Sequence, residues 1–575
     1  METINSFKGY GKVDELEQQA FKKKTRKRLI IISISSVLLI AMIVGVVAGT
    51  VIHSKSKSGA DDVPSTSTSA AAIKAVCSVT EYPNSCYSSL ESSNSTDPQK
   101  IFAFSLTVVK NSLETASTFT SDYMNKMDDP VVKEALNVCA TVLGDAADSL
   151  DDCISSVQNG GKNLISDGSS IDDCKTWLST VLTDEETCFD ALYEANATFV
   201  EEVKLLMNNS TEFASNSLAI ISKLHTLLTN FKFPFNRRRL LAAAEGSVFP
   251  EWVSAADRRL LQQRNPKPDV TVAKDGSGDV TTLKAAVARI RKKSNTRFVI
   301  YVKRGLYLEN VVLDKSYTNV MIYGDGKNLS IISGNKNFVD GTPTFSTATV
   351  GVAGKGFIAR DIGFKNTAGA AKHQAVAFRS GSDQSVFYRC SFEAFQDTLY
   401  PHSNRQFYRE CDIIGTVDFI FGNSAVVLQN CSIFPRQPMP NQFVTITAQG
   451  KVDPNQNTGI SIQRCTISPF DKLTAQTYLG RPWKTYATTV VMQTNIGGFL
   501  NPLGWARWVQ NQDPPKTIFY AEYQNTGPGA NTSGRVKWAG YKPRLTPAEA
   551  NKYNVQSFVQ GSSWLPATNV AFDST

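Results

Sequence analysis

Acidic side chains are scarce in the C-terminal part of the chain. From Gln262 to Thr575 there are 20 Asp and Glu against 35 Lys and Arg, whereas residues 74–230 have 23 acidic and 9 basic side chains. The basic part therefore predicts an anionic partner, either nucleic acid or an acidic polysaccharide. Opposite net charges also predict that the two parts dock on each other. The alternative is that each surface is charged independently for solubility.

Residues 29–52 contain no charged side chain. This stretch of 24 residues is long enough to cross a bilayer as a helix, and it is longer than the apolar core of a cleaved signal peptide. A dense basic run precedes it at residues 22–28, which predicts a cytoplasmic N-terminus. We therefore expect a cytoplasmic tail over residues 1–28, a transmembrane signal anchor over 29–52 and a flexible stalk over 53–73.

Residues 74–230 lack a recognisable catalytic set. Apolar side chains recur at spacings of three and four, for example over residues 101–109 and 136–143, which predicts an all-α, antiparallel helical bundle. Its six cysteines should be paired outside the cytosol, and four glycosylation sequons agree with export. The cysteines are Cys77, Cys86, Cys139, Cys153, Cys174 and Cys188, and the sequons begin at Asn94, Asn196, Asn208 and Asn209.

The linker over residues 231–261 contains the tetrapeptide Arg-Arg-Leu-Leu twice, at residues 238–241 and 258–261. Exposed dibasic sites between two domains are natural protease targets. The two copies favour processing over a plain basic linker, and cleavage would release residues 262–575 as a separate domain.

A repeat of about 20 residues organises the C-terminal domain. Cys390, Cys411 and Cys431 are spaced by 21 and 20 residues, and each stands in a short strand-like run that continues to Phe or Ile. Looser copies lie at residues 358–362 and 462–467. Such a period is typical of the stacked coils of a parallel β-helix, and five copies argue against chance resemblance between ordinary strands. One helix, over residues 283–292, is expected to cap the N-terminal end.

The repeat places two aspartates at equivalent positions. Asp397 and Asp418 each follow a repeat cysteine by seven residues. Stacked strands lie about 4.8 Å apart, so the two carboxyl groups should be neighbours that share one proton, which provides an acid and a nucleophile or base at one pH. The alternative is a pair of turn aspartates bonded to their own backbone. The surrounding residues favour strands over turns at both positions.

Five motifs of this domain resemble those of plant pectin methylesterases, in the same order along the chain. They are Gly305–Glu309, Gln374–Ala377, Gln396–Leu399, Gly415–Gly422 and Leu479–Trp483. Residues 74–230 resemble plant invertase and pectin methylesterase inhibitor domains through the pair Cys77 and Cys86 and the segments around Cys139 and Cys188. The resemblance implies an all-β, right-handed parallel β-helix that hydrolyses the C6 methyl esters of galacturonate in pectin. The pro region would inhibit the enzyme or assist its folding and export.

The resemblance also assigns roles to the site residues. Asp418 would be the nucleophile and Asp397 the acid and then the base. Arg481 would orient Asp418 through two donors. Gln374 and Gln396 would stabilise the oxyanion, unless they form only a stacked amide ladder. No metal or cofactor is implied. Substrate contacts are expected from Gln374, Arg481, Thr344 and Trp483, although Trp483 could instead be a core aromatic residue.

Disulfides and partners follow from the same resemblance. It implies the disulfides Cys77–Cys86, Cys139–Cys188 and Cys411–Cys431, although geometry alone would equally allow Cys390–Cys411. Cys153 and Cys174 exceed the family pattern, and we pair them with each other. Cys390 and Cys465 would be free. The expected partners are pectin, a subtilisin-like protease at the Arg-Arg-Leu-Leu sites, the membrane before processing and the chain's own pro region, with no nucleic acid. The mature enzyme would be secreted to the cell wall.

Three rival functions remain from the residues alone. A calcium-dependent lyase would need a carboxylate cluster that the Gln, Asp and Arg set lacks. A retaining glycosidase also uses two close carboxylates, but it does not explain the two glutamines. A non-enzymatic inhibitor or wall-binding protein would be expected if the aspartates or Arg481 were missing, and they are present.

Overall fold

The computed structural model describes residues 68–159, 168–230 and 266–575. The predicted signal anchor, the stalk and the linker with both Arg-Arg-Leu-Leu sites lie outside these residues. Within the described ranges, no helix combines the length and the apolar character that crossing a membrane requires. The anchor therefore stays a prediction.

Residues 69–230 form the predicted helical bundle. Helix α3 begins where Asp97 accepts a hydrogen bond from the Gln99 backbone N–H and Pro98 occupies the first turn. The four long helices pack through α5 with α6, α3 with α7 and α6 with α7. The helices are α1 (Ser69–Cys77), α2 (Pro83–Leu90), α3 (Pro98–Ser117), α4 (Phe119–Met124), α5 (Pro130–Asn159), α6 (Gly168–Glu194) and α7 (Val200–Asn230).

Three disulfides link the bundle, and all three match the expected pairs. Cys77–Cys86 joins α1 to α2, and both Cys139–Cys188 and Cys153–Cys174 join α5 to α6. The last two bonds tie the antiparallel pair near both ends, which fixes the position of α6 relative to α5.

The C-terminal domain is a parallel β-helix built from three sheets, and each coil contributes one strand to each sheet in turn. Every strand pair in the described sheets is parallel, from β1 with β2 to β25 with β26. Sheet A contains β1 (Val270–Val272), β2 (Phe298–Val302), β5 (Val320–Gly324), β8 (Ile358–Arg360), β11 (Ser385–Tyr388), β14 (Arg405–Arg409), β17 (Ala425–Gln429), β20 (Gly459–Gln463), β23 (Thr488–Met492), β25 (Phe519–Tyr523) and β26 (Tyr541–Lys542).

The other two sheets complete the coils. Sheet B contains β3 (Gly305–Leu308), β6 (Ser330–Gly334), β9 (Gly363–Asn366), β12 (Ser391–Glu393), β15 (Asp412–Gly415), β18 (Ser432–Pro435), β21 (Thr466–Ile467) and β24 (Asn495–Ile496). Sheet C contains β4 (Val311–Leu313), β7 (Val350–Val352), β10 (Phe378–Ser380), β13 (Leu399–Pro401), β16 (Ile420–Gly422), β19 (Val444–Gln449) and β22 (Thr477–Pro482).

Side chains of the same kind stack through the interior because the coils are in register. Phe387 lies opposite Tyr408 in the pairing of β11 with β14, and their rings stack with centroids 4.4 Å apart. Phe364 and Phe392 stack in the same way at 5.7 Å. This aromatic column fills the core between the three sheets.

The repeat cysteines form a buried ladder, but the expected Cys411–Cys431 disulfide is wrong in this structure. Cys390, Cys411, Cys431 and Cys465 are all free and buried. The Cys411 thiol donates to the Phe387 carbonyl at 3.4 Å, and the Cys431 thiol donates to the Tyr408 carbonyl at 3.6 Å. The thiols of Cys411 and Cys431 therefore have backbone partners in the adjoining coil, whereas the Cys390 thiol donates to the Tyr388 carbonyl of its own coil at 3.6 Å.

Short helices cover the outer face of sheet A. Val555, Phe558 and Trp564 pack there against Phe407 and Val427. The N-terminal cap helix α8 is shorter than predicted and spans Leu283–Val287, with Thr282 as its N-cap. The C-terminal helices are α9 (Pro547–Ala550), α10 (Val555–Val559) and α11 (Gly561–Trp564).

The helical bundle docks on sheet C, as the opposite charges of the two parts predicted. Phe345, Tyr400 and Phe421 of the β-helix belong to the same buried apolar cluster as the bundle core. Polar contacts flank this cluster, including the Thr180 hydroxyl to Asn404 at 3.0 Å. Burial of the shared apolar surface is the main favourable term in such docking.

Candidate active site

Asp397 and Asp418 lie at the corner between sheets B and C, in successive coils. Leu399 pairs with Ile420, which brings residue 397 into register with residue 418, and the Asp397 backbone N–H donates to the Val417 carbonyl at 3.0 Å. The predicted stacking is therefore confirmed. The expectation that both stand in strands is wrong, because their φ angles are 61° and 52°, the left-handed conformation of a corner turn that aspartate tolerates.

Asp418 is held by a set of charged and polar donors. Arg481 Nε donates to both carboxylate oxygens at 2.9 and 3.1 Å, and Arg481 Nη2 donates to Oδ2 at 2.6 Å. The Thr445 hydroxyl donates to Asp418 Oδ1 at 2.6 Å and accepts from the Asp418 backbone N–H at 2.9 Å. The ion pair is short and bidentate. Because both Asp418 and Arg481 are buried, it is also shielded from water.

The two predicted glutamines stand at the same corner. Gln374 and Gln396 form a parallel bridge one coil apart, and the Ala375 backbone N–H donates to the Gln396 carbonyl at 3.2 Å. Gln374 and Asp397 are buried, whereas Gln396 is half-buried. The backbone pairing thus places Gln374 and Gln396 in successive coils, with Gln396 directly before Asp397 in the chain.

Aromatic rings line the region next to Arg481. Its guanidinium lies 4.3 Å from the centroid of Trp508, and Trp508 stacks on Trp483 with centroids 6.5 Å apart. Trp483 is half-buried, so it is not an enclosed core residue. Trp508 was not predicted from the sequence, because it lies outside the five motifs.

Thr445 was also missed. It belongs to β19, and the preceding loop at residues 436–443 lengthens the coil, so the 20-residue period that located the aspartates does not reach it. Thr344, the other expected substrate contact, is buried in a 3₁₀ turn over Thr344–Thr347.

Helix α6 of the bundle ends over this region. Glu194 Oε2 accepts the Thr344 backbone N–H at 2.8 Å. Lys484 Nζ, from the residue after Trp483, contacts Glu186 at 2.6 Å and Asp190 at 2.7 Å. The structure therefore places three carboxylates of the bundle against the predicted substrate face.

Burial changes the pKa values at this interface. It raises the pKa of Glu194 to about 7 and that of Asp190 to about 6, with Lys484 opposing the change at Asp190. Burial also disfavours the charged form of Lys484, but Asp190 and Glu186 outweigh this effect and its pKa is raised.

The comparisons with known proteins agree with both domains. The family described as Pectinesterase matches residues 269–562, and that described as Plant invertase/pectin methylesterase inhibitor matches residues 71–220. Pectinesterase 3 of Phaseolus vulgaris is 58% identical over 590 residues, with 100% of both chains covered. Pectinesterase 1 of Arabidopsis thaliana is 55% identical over 581 residues, with 99% of both chains covered.

A solved structure resembles the β-helix. The pectin methylesterase from carrot is 53% identical and aligns with a TM-score of 0.53, covering 54% of this chain and 99% of that chain. It therefore corresponds to the C-terminal domain without the bundle. Together with the two curated relatives, it shows that this chain belongs to the pectinesterase family of carboxylic ester hydrolases and has an inhibitor domain in front of its catalytic β-helix.

Proposed function

We propose that this pectinesterase removes methyl groups from the galacturonate esters of pectin through an aspartyl nucleophile, Asp418. The observation that carries the proposal is the buried pair of Asp418 and Arg481, one coil from Asp397. A side chain held by three guanidinium bonds and one hydroxyl bond has a fixed position, and a fixed nucleophile lowers the entropic part of the barrier.

The first half of the reaction forms an acyl enzyme. An Asp418 oxygen attacks the ester carbonyl carbon, and the amides of Gln374 and Gln396 donate to the oxyanion that forms. The tetrahedral intermediate collapses, its bond to the methoxy oxygen breaks, and Asp397 donates the proton that completes methanol.

The second half restores the enzyme. Asp397, now a carboxylate, takes a proton from water, whose oxygen attacks the acyl carbon and releases Asp418. The products are methanol and a free galacturonate carboxylate. Trp483 and Trp508 offer flat faces on which sugar rings can lie.

We also propose that the bundle keeps the precursor inactive. Asp397 and Asp418 are 0% and 1% exposed with the bundle in place, and Glu194 occupies the Thr344 backbone donor. Cleavage by a subtilisin-like protease at an Arg-Arg-Leu-Leu site would allow the bundle to leave. The precursor would be held in the secretory membrane by residues 29–52, and the freed enzyme would act in the plant cell wall.

Product analysis tests the reaction. The domain over residues 262–575, incubated with highly methylated pectin, should release methanol without new reducing ends or unsaturated ends. Reducing ends would instead identify a glycosidase, and unsaturated ends a lyase.

Comparison of the intact and the cut precursor tests inhibition. The full chain should release methanol at least about tenfold more slowly than the same chain after cleavage in the linker. Substitution of both arginines in each site, R238A with R239A and R258A with R259A, should show which site a co-expressed protease uses. Equal rates before and after cleavage would leave the bundle with a role in folding or export only.

A further inference from the structure

Lys484 is a charged residue of the catalytic domain that lies beside Trp483 and is covered by helix α6 of the bundle. Its side chain is 18% exposed, and its Nζ lies 5.0 Å from the centroid of the neighbouring Trp483 ring. In the described part of the chain, the two carboxylates within 4.0 Å of this Nζ, those of Glu186 and Asp190, both belong to α6. Lys484 therefore loses both anionic partners when the bundle leaves.

The carboxylates of α6 form a row. Glu186, Asp190 and Glu194 are spaced by four residues, so they follow one helix face at intervals of about 6 Å. Lys484 binds the first two, and the backbone N–H of Thr344 binds the third. The carboxylates of α6 therefore contact a cation and a backbone N–H donor of the β-helix. The carboxylates of a polyuronate chain bound at this surface would make contacts of the same kind.

After release, Lys484 stands beside a flat aromatic face with an unneutralised ammonium group. An indole face accepts a sugar ring, and an ammonium group at its edge accepts a carboxylate. A methyl ester carries no charge, so its attraction to the ammonium group is much weaker than that of a carboxylate. The position is therefore suited to a galacturonate that has already lost its methyl group.

We propose that Lys484 binds the free carboxylate of a galacturonate unit near the one being demethylated, and that Glu186 and Asp190 occupy this subsite in the precursor. The inference rests on the proposed function and deepens it. An enzyme that holds its own product next to the reacting ester prefers esters that adjoin free carboxylates. It therefore leaves contiguous demethylated runs.

The test compares two substrates with one set of variants. The domain over residues 262–575 is used, because the carrot structure shows that a chain of this extent folds without a bundle. K484Q removes the charge, K484R keeps it, and K552Q removes an exposed charge from the segment that covers sheet A. The substrates are a fully methylated galacturonate oligomer and the same oligomer with half of its carboxylates free.

K484Q should lower the ratio of kcat/KM for the half-methylated over the fully methylated oligomer at least about fivefold, chiefly through KM. It should also raise the inhibition constant of a fully demethylated oligomer by a similar factor. K484R should restore most of the ratio, and K552Q should leave it unchanged. Melting temperatures within a few degrees of the unaltered domain would show that the variants fold.

An unchanged ratio in K484Q, with unchanged product inhibition, would overturn the inference and reduce Lys484 to a residue that only docks the bundle. An equal change in K552Q would also overturn it, since net charge would then explain the effect. Failure of the unaltered domain to release methanol from either oligomer would overturn the proposed function, and this inference with it.

Discussion

At the scale of single residues, the repeat period predicts which residues of the site lie together, but it does not predict their backbone conformation. The period of the repeat cysteines was enough to bring Asp397 and Asp418 together, because one residue per coil occupies each corner. It could not reveal that both residues adopt the left-handed conformation. The residue types around the two aspartates are compatible with a strand as well as with a corner turn. Nor could the period reveal Thr445, whose coil contains a longer loop.

Thr445 donates one hydroxyl hydrogen bond to Asp418, the proposed nucleophile, which gives a residue-scale prediction. Thr445→Val removes the 2.6 Å bond to Asp418 Oδ1 and should lower kcat roughly tenfold, because one hydrogen bond to a charged group is lost. Thr447→Val is the matched control, since the Thr447 hydroxyl in the same strand binds the Leu479 carbonyl at 2.9 Å. Steady-state methanol release measures both. Equal effects would mean that strand packing, and not the bond to Asp418, determines the rate.

At the scale of elements, the stacking of coils was predictable and the lengths of the helices were not. The period of about 20 residues predicted the β-helix, but α8 ends at Val287, five residues before the predicted end. Arg289 and Ile290 continue in turns whose backbone N–H groups bond three residues back. Packing against the first coil, which sequence periodicity does not describe, decides where such a short helix ends.

Helix α6 contacts Thr344 and Lys484 of the β-helix, so the proposed inhibition of the precursor should depend on the charges of this helix. In the full chain, Glu186→Gln combined with Asp190→Asn removes both partners of Lys484 and leaves its charge largely buried. The intact precursor should then release methanol several-fold faster than the unaltered precursor. Glu201→Gln, on the exposed face of α7, is the control and should change nothing.

Gel electrophoresis must show that the double variant is still uncut, so that leakage is not processing. If the uncut double variant releases methanol no faster than the unaltered precursor, the apolar contacts of Phe345, Tyr400 and Phe421 are sufficient to hold the bundle in place without the ion pairs.

At the scale of the whole molecule, docking should depend on pH. The pKa of Glu194 is raised to about 7, and those of Asp145 and Asp190 to about 6, all chiefly by burial. A carboxyl group whose pKa is raised on docking favours docking at low pH, and this contribution is lost as the pH rises through the raised value. His402 opposes this, because burial, with Arg379, lowers its pKa well below the usual value.

Three carboxyl groups outweigh one histidine, so the cut bundle should dissociate more readily at about pH 8 than at about pH 5.5. Gel filtration of the cut precursor at the two values measures the fraction that stays together. Glu194→Gln should flatten the dependence. Tighter association at the higher pH would show that His402 dominates the linkage.

The surface of the β-helix on which the bundle docks could not be predicted from composition. The charges of +15 and −14 that the counts of the two parts give predicted contact, but not which surfaces meet. The surfaces that meet are determined by the shape of sheet C and by apolar residues such as Tyr400. Sequence periodicity can place Tyr400 in a strand, but it does not predict which part of the molecule packs against it.

The central claim is that Asp418 is the nucleophile of an ester hydrolase. The most direct measurement is methanol release from highly methylated pectin by the domain over residues 262–575, beside Asp418→Asn in the same domain. We expect the substitution to lower kcat at least about a thousandfold, because no other group can replace the attacking oxygen. An Asp418→Asn enzyme that keeps a tenth or more of the activity would contradict it.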